Sequence, residues 1–302
     1  MAGLGRAGRG VLGLRIHEPF PGVLAFYEGR DGTRHAEGAN WVDDGALSLG
    51  IASYAILSGD QALVYDCHLS PDRARLIRDT LAARGARRFT VILSRWHIDH
   101  VAGTEPFADC EIIANPRTLA HLTREKAALE TGTYAGPPAI SPLILPNRIF
   151  DDRLVLDLDG ETVELLTFDI HSDDGTVLWL PKRGILLAGD TLEDCVTWVS
   201  EPEALPRHLP EIARLAGLGA TAILPNHGAE DVIAKGGYGP GLISATSAYV
   251  TGLIAGTLSP DLATAIAEPV KAGDLRFFAA YQDVHSRNLA KVAEAKAAGL
   301  LT

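Results

Sequence analysis

Short apolar runs recur along the chain, each closed by a polar or glycine-bearing turn. Residues 23–27, 47–57 and 62–65 read as early strands, the first two separated by a Gly/Asp-rich turn region around 31–44. The short apolar run 89–93, broken only by Thr90, reads as a buried strand. Between the last two runs, Ser70-Pro71-Asp72 has the form of a helix start, with Ser70 as N-cap and Pro71 at the first helical position. Ala74, Ile77 and Leu81 then mark one face, and Gly85 ends it. Residues 111–114 make a short strand, and Asn115-Pro116 opens a second helix running to about 130. The segment 131–146 is rich in Gly and Pro and reads as a long loop, either a binding loop or a plain connector.

Strands return in the second half. Residues 153–158 and 162–168 form a hairpin turned at Asp159-Gly160. Residues 176–180 and 184–188 form another, turned at Pro181-Lys182-Arg183. A helix over about 201–218 and a strand at 221–224 follow. From about 241 the pattern is helical, with Phe277, Phe278, Tyr281 and Val284 at helical spacing, as core or as a subunit interface. Each half runs from strands to helices, which suits two sheets packed face to face with helices outside.

Composition narrows the function. The 302 residues are 47% hydrophobic and 22% charged, ordinary for a soluble α/β protein of one large or two small domains. The three cysteines are odd in number, with no CxxC pair, so a reducing compartment is expected. A net charge of −11 disfavours nucleic acid as a partner. No apolar run has bilayer length; the nearest, 242–258, is broken by Ser244, Thr246, Ser247, Tyr249 and Thr251. The Gly- and Arg-rich start lacks a signal-peptide core. The expectation is a cytoplasmic protein with a small-molecule substrate and no membrane partner. The apolar 242–258 helix and the aromatic last helices are compatible with a homodimer.

Candidate chemistry concentrates in Ser94-Arg95-Trp96-His97-Ile98-Asp99-His100. Two imidazoles and a carboxylate fall within four residues, on a loop leaving a strand, where α/β folds place their chemistry. This donor set suits zinc, iron or manganese; the plain alternative is a polar loop with solvated histidines. An extended chain would put His97 and Asp99 on one side, whereas a turn at 98–99 would add His100. His171, Asp190 and His227 each stand just past an apolar run. Singly, each reads equally as a surface residue or, for Asp190, a helix cap; jointly they point to a metal centre.

This pattern resembles the metallo-β-lactamase superfamily over most of the chain. The family's first motif is His-x-His-x-Asp-His, followed by a lone His, a Gly-Asp and a final His near a strand end. The matching residues are His97, Asp99, His100, His171, Asp190 and His227. The resemblance implies an α/β fold, a four-layer αββα sandwich with additional C-terminal helices. Residues 1–20 would be loose, 21–240 the metallo-β-lactamase domain, and 241–302 a helical extension packed on it. It also implies a hydrolase whose metal-activated water cleaves a small ester, lactone, thioester or amide. Zinc is the expected cofactor, one ion or two, with iron or manganese as substitutes. Asp99 is the catalytic candidate and Asp66 resembles a strand-end Asp behind the ligands. Asp190 in the bridging position resembles the glyoxalase II and lactonase branch.

One departure stands out. Arg95 occupies the first motif position, and a guanidinium cannot ligate a metal. The resemblance leaves His97, His171 and Asp190 for one ion, and Asp99, His100, His227 and Asp190 for the other. Arg95 is then a substrate-binding candidate, for a carboxylate or a developing oxyanion, or it pairs with Asp66. An iron-dependent oxidoreductase and a non-catalytic binding member of the same fold are the alternatives.

Overall fold

A parallel strand pair cannot be joined by a tight turn and needs a crossover, usually a helix. The position of the first two long helices therefore decides the topology. In a computed structural model, which describes residues 13–301, the chain forms two compact units. One runs to Phe150 and includes Leu158–Gly160; the other holds Asp151–Asp157 and everything from Glu161.

The first unit carries a seven-stranded sheet whose order follows the chain: β1 (Arg15–Phe20), β2 (Val23–Glu28), β3 (Ile51–Ser58), β4 (Gln61–Tyr65), β5 (Arg88–Ile92), β6 (Glu111–Ala114) and β7 (Arg148–Ile149). The first four strands pair antiparallel. From β4 onward the pairing is parallel. That change falls where α1 (Pro71–Ala83) enters, followed by the short α2 (Ile98–Val101) and by α3 (Pro116–Thr131). Both long helices start as the sequence predicts. The Ser70 side chain accepts from the Arg73 N–H, the Asn115 side chain accepts from those of Arg117 and Thr118, and a proline opens each helix. Ala74, Ile77 and Leu81 are fully buried in one core with Val64, Val91 and Ile112. Burying each Ile or Leu side chain stabilises by about 1.5–3 kcal/mol. Glu28 and Arg73 form a buried ion pair at 2.5 and 2.7 Å. A carboxylate and a guanidinium go into a core together when each satisfies the other.

Two expectations change here. Residues 15–20 form β1 and pair with β2, so they are not a loose end; residues 1–12 of that call lie outside the described residues. The early strand begins at Ile51, after a π-helical turn Val42–Leu47. The 131–146 segment is the expected loop and is tied down: Ile140 and Leu143 are buried, and Trp41 Nε1 donates to the Pro138 carbonyl at 2.9 Å.

The second unit carries a five-stranded sheet of order β12-β11-β10-β9-β8, with β8 (Arg153–Leu158), β9 (Glu161–Ile170), β10 (Ser172–Leu180), β11 (Ile185–Gly189) and β12 (Ala222–Pro225). β9, β10 and β11 pair antiparallel, and β11 and β12 pair parallel. The crossover is α4 (Leu205–Ala216), which packs on β9. Then come α5 (Glu230–Ile233), α6 (Gly241–Ala255), α7 (Leu262–Ala265), α8 (Ala267–Ala272) and α9 (Tyr281–Ala297). α6 packs on α4 and α9, and Leu242, Tyr249, Val250 and Leu253 are buried in it. The apolar 242–258 stretch is thus core of this unit. The aromatic run is not one helix: the chain leaves helix between α8 and α9, Tyr281 is buried and Phe277 is about half exposed. Among the described residues no helix is long and apolar enough to cross a membrane.

Candidate metal centre

Parallel strands present their C-terminal ends side by side, and both units build donors there. In the first unit β4 and β5 are parallel neighbours. The loop after β4 carries Asp66, Cys67 and His68; the loop after β5 carries Ser94 to His97. Asp66 is fully buried. Its Oδ1 accepts from the Ser94 N–H at 2.7 Å, and its Oδ2 from the Ser94 hydroxyl at 2.6 Å. Oδ2 also lies 2.9 Å from Nδ1 of His100. A carboxylate only accepts, so His100 carries its proton on Nδ1 and presents Nε2 on its other side. That Nε2 lies 3.5 Å from Asp99 Oδ1.

The motif loop takes the turned alternative rather than the extended one. His97 is the N-cap of α2, and Asp99 and His100 lie on that helical turn. Arg95 is buried, and its Nη2 lies 2.7 Å from Nδ1 and 2.8 Å from Nε2 of His97. Trp96 stacks on His121, with ring centroids 5.2 Å apart, and meets Tyr134 of the 131–146 segment edge-on at 5.5 Å. His68, two residues past the strand-end Asp66, is fully buried.

In the second unit the ligand candidates also stand at strand ends. His171 occupies the one-residue turn between β9 and β10, at φ +68 between the paired Ile170 and Ser172. Such a conformation is uncommon outside Gly, Asn, Asp and His, and it persists where the surroundings fix it. Parallel pairing of β11 with β12 sets Gly189 beside Pro225. It brings Asp190 Oδ1 to 3.8 Å from His227 Nε2. No helix begins at Asp190, which sets aside its reading as a cap. The His227 loop is fixed from behind. The Asp194 N–H donates to the His227 carbonyl at 3.1 Å, and Tyr238 bonds both the Asp194 carboxylate, at 2.5 Å, and the Ala229 N–H, at 2.7 Å. Cys195 is a small buried residue, its thiol donating to the Arg276 carbonyl at 2.9 Å.

Sequence reading missed one donor. Glu193 is buried, with Oε1 2.8 Å from Nδ1 of His171. It follows Asp190 by three residues in irregular chain, so no periodicity marked it. One donor atom each of His171, Asp190 and Glu193 lies within 4.8 Å of the others, and all three residues are buried. Two buried carboxylates so close repel one another unless a cation or a proton compensates. His171 and Asp190 offer an imidazole and a carboxylate of the kind a divalent metal takes, and Glu193 bonds the His171 ring at Nδ1.

The profile of the metallo-beta-lactamase superfamily matches residues 49–252. A beta-lactamase-like protein 2 homolog of Caenorhabditis elegans is 25% identical over 50% of this chain and 46% of its own length. An atrochrysone carboxyl ACP thioesterase of Passalora fulva is 31% identical over 47% of this chain and 38% of its own. One from Aspergillus fumigatus is 23% identical over 69% and 56%. The chain thus spans about half of these relatives' lengths or less. Among solved structures, a metallo-beta-lactamase from Pontibacter korlensis matches 79% of this chain and 99% of its own, with TM-score 0.59 at 15% identity. The DIM-1 metallo-beta-lactamase matches 79% and 97%, with TM-score 0.58 at 17% identity. These likenesses show the fold, and with the profile covering more than half of its length, the chain belongs to the metallo-beta-lactamase superfamily.

Proposed function

We propose that this chain is a metal-dependent hydrolase acting on a small acyl substrate. The observation that carries the reading is the clustering of donors past strand ends: buried His171 and Asp190, with Glu193 bonded to the His171 ring, in one unit, and the partly buried Asp99 with the Asp66-backed His100 in the other. Following the superfamily's pattern, His97, Asp99, His100, His171, Asp190 and His227 are the proposed ligands, with zinc first and iron or manganese as substitutes. A bound divalent cation supplies a nucleophilic hydroxide near neutral pH and polarises the scissile carbonyl.

The protein's own groups do the rest. Asp99 is the proposed proton acceptor, its carboxylate only partly buried and so reachable by substrate. Asp66 holds His100 in one tautomer. Arg95 is proposed to meet a substrate carboxylate or a developing oxyanion, for which a guanidinium's paired donors are suited. Among ester, lactone, thioester and amide, the thioester stands first, because two of the relatives are named thioesterases.

The test is elemental analysis of protein purified without added metal, beside a His227→Ala variant, with a panel of acyl thioesters, lactones and a β-lactam. Bound zinc that falls in the variant, together with thioester cleavage lost in it, supports the reading. Protein that holds no metal and takes none up would overturn it in favour of a binding role; a coloured iron centre with redox activity would favour an oxidoreductase.

A further inference from the structure

We propose that Glu193 is a positioning residue of the metal centre. It holds His171 with the proton on Nδ1, so that Nε2 is the nitrogen offered to a metal. The inference rests on the metal-dependent reading above and assigns a residue that the superfamily motif does not contain.

Glu193 Oε1 lies 2.8 Å from Nδ1 of His171, and the two side chains are 2% and 3% exposed. A carboxylate accepts at this contact, which makes the imidazole the donor through Nδ1. The carboxylate is itself held: the same Oε1 accepts from the Trp198 N–H at 3.1 Å. Thr197 Oγ1 closes on the same Nδ1 at 3.2 Å.

The protein's own groups hold the 193–199 loop. α9 grips it from the far side. Asn288 donates from Nδ2 to the Thr197 carbonyl at 2.7 Å and accepts from the Val199 N–H at 2.9 Å. Lys291 Nζ donates to the Val199 carbonyl at 2.9 Å. The C-terminal helices therefore brace the segment that aims His171.

A ligating imidazole whose other nitrogen donates to a carboxylate is fixed in orientation and is the stronger donor.

Two readouts test this without relying on activity. The first is long-range 1H–15N correlation on the zinc-loaded protein, with His171 assigned by its loss in His171→Gln. A protonated Nδ1 and a metal-shifted Nε2 are expected. The second is zinc affinity by chelator competition. Removing such an outer partner typically weakens binding 10–100-fold, so Glu193→Ala is expected in that range. Glu193→Gln, whose amide oxygen still accepts from Nδ1, is expected to lose less. A His171 ligated through Nδ1 would overturn the proposal, and so would unchanged affinity in a folded Glu193→Ala. If that variant does not fold, the wild-type spectrum decides alone. Failure of the wild type to bind any metal would defeat the hydrolase reading and this role together, whereas Nδ1 ligation with normal uptake defeats this role only.

Discussion

Arg95 turns back on His97, two residues along, and sets Nη2 within 2.8 Å of both ring nitrogens. A guanidinium is always charged and has no lone pair to share. The motif position that elsewhere in the superfamily donates to a metal here carries a cation, and the next motif histidine is engaged with it.

Arg95→His should therefore strengthen metal binding. At about 4 Å and an effective dielectric near 20, each unit-charge product contributes roughly 4 kcal/mol; solvent and side-chain relaxation reduce that. A gain of about tenfold or more in affinity for the weaker-bound metal corresponds to about 1.4 kcal/mol. Chelator competition and elemental analysis on the two proteins measure it. Equal stoichiometry and affinity would mean that Arg95 does not limit the site.

Asp66→Ala should cost both stability and metal. Its carboxylate accepts from the Ser94 N–H and hydroxyl and pairs with His100. Leaving those buried groups without an acceptor costs about 1–3 kcal/mol each where water cannot replace it. Loss of a carboxylate behind a ligating histidine typically weakens metal binding 10–100-fold. Urea unfolding of metal-free protein measures the first effect and chelator competition the second. Wild-type metal affinity in a folded variant would remove Asp66 from the centre.

Much of this fold could be read from the chain because local chemistry agrees with tertiary structure. Ser70, Asn115, Pro71 and Pro116 cap the helices they precede, and the face Ala74, Ile77, Leu81 is buried as its period implies. The ligand candidates were readable because each stands just after an apolar run, where a strand ends. What escaped has no local signal. Glu193 lies in irregular chain, and only the turn at His171 and the grip of α9 bring it to an imidazole. The Glu28–Arg73 pair joins residues far apart in sequence. Residues 15–20 alternate too weakly to announce a strand, and pairing with β2 makes them one. Gly103 likewise carries no local sign of the close packing it permits.

A methyl group at Gly103 would lie 2.0 Å from the Cys67 carbonyl oxygen, 2.7 Å from Ala74 Cβ and 2.9 Å from the Ser70 carbonyl oxygen. Two of these neighbours are backbone and cannot swing aside. The same approach lets the Cys67 N–H donate to the His100 carbonyl at 2.7 Å. Gly103→Ala should therefore pry the Asp66 loop from the His100 turn. Overpacking of this kind costs about 1–3 kcal/mol or more, and Asp66 would lose its hold on His100. Thermal melting with zinc titration checks this, and a variant with wild-type stability would show that the two loops have room to part.

His68 makes stability fall in acid. It is fully buried, and neither ring nitrogen has a hydrogen-bond partner among the described residues. Burial above all, and then the charge of Arg73, push its pKa down from 6.5 to about 3. The Phe26 backbone and Asp99 pull the other way, the Phe26 main chain without reaching hydrogen-bond geometry. In the unfolded chain the ring takes a proton below about pH 6.5; in the folded chain it stays neutral to about pH 3. The unfolded state thus binds more protons in that window, so stability is full above the upper value and is lost as pH falls. One such group gives a slope of at most about 1.4 kcal/mol per pH unit, or about 2–3 kcal/mol between roughly pH 6.5 and 4.5. His68→Asn tests it, because Asn does not titrate there and tolerates the left-handed backbone that His68 adopts at φ +63. Urea midpoints of metal-free protein across that window should fall less steeply in the variant, whatever its absolute stability. Parallel curves would mean that water or a moving backbone reaches the ring, and that His68 is protonated in the folded protein as readily as outside it.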